Sequence, residues 1–89
     1  MLKIEFTVKG TRDFKKLPRD LQKRLLKKLE FFASQEDPIL FSKPLVNLPP
    51  ATHRFRVGDY RIAFYVEGKT IYMDRVRHRK EVYYLEIET

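Results

Sequence analysis

Three runs of alternating residues, separated by two glycine-bearing turns, constrain this chain more than any other feature. Thr52–Val57 sets Phe55 and Val57 on one face and Arg54 and Arg56 on the other. Gly58-Asp59 follows, a two-residue hairpin turn, because glycine accepts positive φ. Tyr60–Glu67 sets Ile62, Phe64 and Val66 against Arg61, Ala63 and Tyr65. Glu67-Gly68-Lys69 turns the chain again, and Thr70–His78 is the last long strand. Successive strand side chains leave opposite faces, so this half predicts an antiparallel three-stranded meander with one apolar face. The last strand conflicts with itself. If Arg75 and Arg77 take the polar face, Ile71 and Met73 do too, and Asp74 turns inward with Tyr72 and Val76. A bulge near Asp74 reconciles the pattern, and so does burial of both faces of a central strand. Both stay open.

The first half reads as a strand and two helices. Leu2, Ile4, Phe6 and Val8 alternate with Lys3, Glu5, Thr7 and Lys9, which predicts a half-buried strand over residues 2–9 ended by Gly10. Thr11 is the expected N-cap of a short helix in which Phe14 and Leu17 share a face. Pro18 suits the first turn of a second helix, where its missing N–H costs nothing. Leu21, Leu25, Leu29 and Phe32 form that helix's apolar stripe. Four of the five prolines fall between Ser34 and Ala51, which makes this stretch an extended connection. Its Ile39, Leu40, Phe41, Leu45, Val46 and Leu48 predict that it packs down on the domain.

The order β-α-α-β-β-β makes residues 1–89 one α+β domain: a small, mostly antiparallel sheet with a helical hairpin on one face. The pattern does not say which meander strand the first strand joins. Without cysteine, disulfide scaffolds, thiolate zinc sites and Cys nucleophiles are excluded. No apolar run approaches the roughly 18 residues of a membrane span, and no signal-peptide block opens the chain, so a soluble, cytoplasmic protein is expected.

Charge is the functional clue. Nineteen Lys and Arg against 12 Asp and Glu give +7, which points to a polyanionic partner. The arginines are not scattered. Arg54 and Arg56 leave one strand face, Arg61 lies across the turn, and Arg75, Arg77 and Arg79 repeat at period two. Guanidinium stays charged and binds phosphate bidentately. The competing reading is a solvated sheet whose arginines pair with Asp59, Asp74, Glu67 and Glu81, but residues 51–83 hold eight cations against four anions. Lys23, Arg24, Lys27 and Lys28 form a second basic set, either a plain solvated helix face or a phosphate-tracking one. His53 and His78 lack the partners of a metal site, and His78 reads as a strand-end residue or a reserve acid or base.

The run His53-Arg54-Phe55-Arg56-Val57-Gly58-Asp59-Tyr60-Arg61-Ile62-Ala63-Phe64-Tyr65 resembles the central segment of the RelE/ParE toxin superfamily. Val76-Arg77-His78-Arg79-Lys80-Glu81-Val82-Tyr83 resembles its closing segment, and the resemblance covers nearly the whole chain. It implies a RelE-like fold and a toxin of a type II toxin–antitoxin module, neutralised by a cognate antitoxin in a hetero-oligomeric complex. RelE-type members cleave mRNA in the ribosomal A site without a metal or cofactor. Carried onto this sequence, their catalytic positions fall on Arg54, Arg56, Arg61, Arg77 and Tyr83. Basic charge, not the resemblance, adds Lys23, Lys27, Arg79 and Lys80 as expected RNA contacts. The strand positions that are often lysine in such enzymes are arginine here, and arginine is a poor general base. The alternatives are a ParE-like DNA gyrase inhibitor and a non-catalytic basic module that binds RNA or a peptide.

Overall fold

The computed structural model describes residues 2–80. Its elements are β1 (Lys3–Phe6), α1 (Val8–Lys15), α2 (Arg19–Ser34), a 3₁₀ turn at Pro38–Phe41, β2 (Ser42–Pro44), β3 (His53–Val57), β4 (Tyr60–Glu67) and β5 (Thr70–His78). They build one five-stranded sheet in the order β1-β5-β4-β3-β2. β1 runs parallel to β5, and the other pairings are antiparallel. The meander and the helical hairpin are as the alternation and the leucine stripe predict. Gly58 (φ 59°) makes the β3–β4 turn.

The core lies between α2 and the sheet. Leu25, Leu29 and Phe32 from α2 meet Phe55, Ile62, Phe64, Ile71, Met73 and Val76. Phe32 stacks on Phe55 at 4.6 Å, and Phe55 on Phe64 at 4.1 Å. Phe64 is fully buried beside Phe55 in this stack. Phe64→Ala is therefore expected to cost about 3–5 kcal/mol, read as a lower urea midpoint at unchanged m-value.

Two local expectations are corrected. The first strand stops at Phe6, and the helix begins at Val8, with its N-cap four residues before Thr11. Thr7 is the N-cap: its Oγ1 accepts from Gly10 N–H at 3.0 Å and donates to Asp74 Oδ1 at 2.9 Å. Val8, expected on the core face of a strand, is instead an exposed first-turn residue. Gly10 does not end a strand. It is buried inside α1. The proline-rich connection also holds β2, whose three residues pair with His53, Arg54 and Phe55 of β3. Proline at a strand end on the sheet edge loses no ladder bond, which is why Pro44 is tolerated there. Packing of this connection is mixed: Ile39 reaches the core, while Leu40 and Val46 stay exposed.

The conflict in the last strand is resolved by a bulge. Ala63 pairs with Arg75 but Phe64 pairs with Met73, so Asp74 is the extra residue on β5. The bulge shifts parity by one. Ile71, Met73 and Val76 all reach the core, while Arg75 and Arg77 leave the other face.

Candidate functional site

Strand register turns the scattered arginines into rows. Arg56 lies opposite Arg61, and Arg61 opposite Arg77, across three adjacent strands. One step along, Arg54 lies opposite Ala63, and Ala63 opposite Arg75. Lys43 of β2 extends this second row beyond Arg54. Directly opposed side chains have Cβ atoms about 4.5–5.5 Å apart, and like charges so placed repel. Both rows lie on the sheet face opposite α2, since their strand neighbours Phe55, Ile62 and Val76 are in the core.

Arg54, Arg61, Arg75 and Arg77 surround a crevice floored by Ala63. The small alanine side chain leaves a gap in a row otherwise made of long cations. The segment Leu45–Leu48 walls the crevice, turning back at Asn47 with φ 62°, a conformation that asparagine tolerates. Only about 20 Å³ is open to water inside, room for about one molecule. A group as large as a phosphate does not fit inside and could reach these guanidinium groups only at the mouth.

One residue that the sequence did not single out organises half of this cluster. Asp13 of α1 reaches the β5 edge just beyond the point where β1 stops pairing. Its Oδ2 accepts from Arg75 Nε at 3.1 Å and from Val76 N–H at 3.0 Å, and lies 3.7 Å from Arg77 Nε. Nothing in the local run Thr11-Arg12-Asp13-Phe14 signals this role, because both partners lie more than sixty residues away.

The other predicted residues are dispersed. Arg56 is exposed at the outer end of its row. Arg79 donates its N–H to Asp59 O, and its exposed guanidinium lies 3.9 Å from the Asp59 carboxylate, beside the β3–β4 turn. Lys80 is exposed, and its N–H donates to His78 Nδ1. His78 is not with the arginines. It meets Tyr60 edge-on at 5.3 Å, and Tyr60 packs against the core, so His78 lies on the helix side of the sheet end. Lys23 and Lys27 are exposed on α2, which covers the face opposite the arginines. Tyr83 lies outside the described residues.

Tyr65 and Tyr72 stack at 5.2 Å on the arginine side of β4 and β5. Burial raises the Tyr65 phenol above its ordinary value, and the charges of Asp74, Glu67 and Tyr72 push it further up. Among the described residues no cluster of acidic, His or Cys side chains could hold a metal, and no helix is long and apolar enough to cross a membrane.

Residues 4–83 match the family model described as the ParE toxin of the type II toxin–antitoxin system parDE. A curated relative, Toxin RelE3 of Methanocaldococcus jannaschii, is 33% identical over 92% of this chain and 96% of its own. The chain belongs to the RelE/ParE toxin superfamily. It is a toxin of a type II toxin–antitoxin system. Two solved structures of RelE/ParE toxins bound to antitoxins are similar to it. The RelBE2 complex of Mycobacterium tuberculosis superposes at TM-score 0.74 with 29% identity, over 88% of this chain and 98% of that one. The RelB–RelE complex of Methanococcus jannaschii superposes at 0.65 with 30% identity, over 96% and 98%. Of the RelE/ParE motif segments that the sequence carries, 53–65 holds Arg54, Arg56, Arg61 and Ala63 of the two rows, and 76–83 holds Arg77.

Proposed function

We propose that this toxin is a ribosome-dependent endoribonuclease that cleaves mRNA in the A site and is neutralised by a RelB-type antitoxin. The observation that carries the reading is the set of guanidinium groups from three strands around one crevice mouth. Guanidinium groups gathered on one face can bind a backbone phosphate bidentately and from several strands at once.

In the proposed reaction the substrate's 2′-oxygen attacks the adjacent phosphorus and loses its proton. The P–O5′ bond breaks, and the departing 5′-oxygen takes up a proton. The products are a 2′,3′-cyclic phosphate and a 5′-hydroxyl. Arg61 and Arg77 stabilise the negative charge that develops on the phosphorane oxygens, which is the largest catalytic contribution available to such a site. Arg54 and Arg56 hold the flanking backbone, and Tyr83 stacks on or orients the nucleotide. The described arginine face presents no imidazole, and guanidinium is a poor base. Proton transfer is therefore completed in the assembled ribosomal complex, and free RNA is cut weakly or not at all.

Primer extension on a defined mRNA in programmed ribosomes tests this. Discrete A-site cuts with cyclic-phosphate ends, undiminished by chelator pretreatment of the toxin, are the expected result. The family model's ParE description favours a second reading, inhibition of DNA gyrase. Arrest of DNA replication before protein synthesis on induction, with no cuts on ribosomes, would establish that one instead. RNA binding without cuts or arrest would leave a non-catalytic module.

A further inference from the structure

A single carboxylate oxygen gathers the last strand's arginines. Asp13 Oδ2 takes the Nε–H of Arg75, lies 3.7 Å from Nε of Arg77 and caps the backbone N–H between them. The side chain is 14% exposed, so water screens these contacts little. Both arginines meet it through Nε, and both line the crevice.

The helix bringing Asp13 there is docked tightly. Thr7 N–H donates to Met73 O at 3.0 Å, and Thr7 Oγ1 donates to Asp74 Oδ1. Gly10 packs its backbone on the carbonyl of Met73. The bulge at Asp74 therefore does two jobs at once. It turns Arg75 and Arg77 onto the reactive face, and it seats the helix whose carboxylate aligns them.

We infer that Asp13 is a positioning residue that fixes the guanidinium groups of Arg75 and Arg77 for phosphate. This rests on the endoribonuclease reading of the same site. A carboxylate beside a phosphate site weakens anion binding, so simple electrostatics and positioning predict opposite changes. Removing the charge raises attraction for RNA. Releasing the arginines misplaces the groups that meet the transition state.

Asp13→Asn separates the two: its amide oxygen can still accept from Val76 N–H, but without the negative charge it holds Arg75 and Arg77 only weakly. On programmed ribosomes, kcat is expected to fall about 10- to 100-fold while KM stays level or drops. Asp13→Glu, which restores the charge, recovers part of the loss. Asp13→Asn at wild-type kcat would overturn the inference. So would a loss of active protein with unchanged kcat per folded molecule, since that marks a purely structural residue.

A second readout does not depend on cleavage. By NMR, the Arg75 Nε–H should exchange with solvent about tenfold more slowly in wild type than in Asp13→Asn. Equal exchange in the two proteins overturns the positioning role. If wild type cuts nothing on ribosomes but the Nε–H is protected only with Asp13 present, the endoribonuclease reading falls and the alignment of the arginines stands.

Discussion

Gly10→Ala is expected to lower the melting temperature by roughly 12–24 °C, the shift that about 3 kcal/mol produces in a domain of this size. In an ordinary helix interior the same change stabilises by about 0.5–1 kcal/mol, because alanine has less backbone freedom to lose. Here a Cβ would sit 2.0 Å from the Met73 carbonyl oxygen and 3.0 Å from its carbon. Both are backbone atoms of β5, so no side-chain rotation clears the space. Relief requires α1 to move outward from the bulge. That movement stretches the Thr7–Met73 and Asp13–Val76 hydrogen bonds together. Overpacking of this kind costs about 1–3 kcal/mol, and the loss of docking bonds puts this case at the upper end. Thermal unfolding followed by circular dichroism checks it. A melting temperature at or above wild type would show that α1 does not approach β5 this closely.

Arg61→Ala is expected to reduce kcat on programmed ribosomes by about 10²–10³-fold, the usual loss when one charge-stabilising donor is removed. Arg61 is the middle member of the row Arg56–Arg61–Arg77 and also lines the crevice mouth. Its removal takes one cation from between two others. The rate is read per folded molecule, with the variant's melting temperature measured alongside. Arg61→Lys keeps the charge but loses the planar fork, so an intermediate rate is expected. Wild-type cleavage by Arg61→Ala would remove this row from the mechanism. Equal losses of stability and activity would make Arg61 a structural residue.

Much of the architecture was legible because it rests on short-range chemistry. Phe55, Ile62 and Phe64 alternate with Arg54, Arg56, Arg61 and Ala63, so one face is apolar wherever the strands go. Leu25, Leu29 and Phe32 repeat at helical spacing, and all three are buried. The start of α1 was misread because residues 2–9 alternate as well as any strand. The alternation loses to the Thr7 cap, which draws on Asp74 sixty-seven positions away. The three-residue β2 gave no periodic signal at all, being too short to alternate visibly among prolines.

The site divides the same way. That arginines from β3, β4 and β5 share a face followed from parity and two glycine turns. Which arginines stand opposite one another did not, because the bulge at Asp74 sets the register of half of β5. Lys23 and Lys27 were grouped with the RNA contacts by charge, yet α2 covers the far face of the sheet, and spacing along a chain carries no information about that. His78 was one residue from Arg77 in sequence and on the other side of the sheet in space, as strand geometry requires.

By itself, then, the sequence determined the three meander strands, the amphipathic helix, the polyanion-seeking charge and the motif segments that mark the family. These depend on side-chain period and composition, which neighbouring residues settle among themselves. Only the tertiary structure decided the parallel docking of β1, the parity shift at Asp74, and the reach of Asp13 to Arg75 and Arg77. The first and last join groups more than sixty residues apart, where burial of a shared core, and not local pattern, selects the partner; the bulge lies between neighbouring strands, and there packing chose between two readings that the pattern left open.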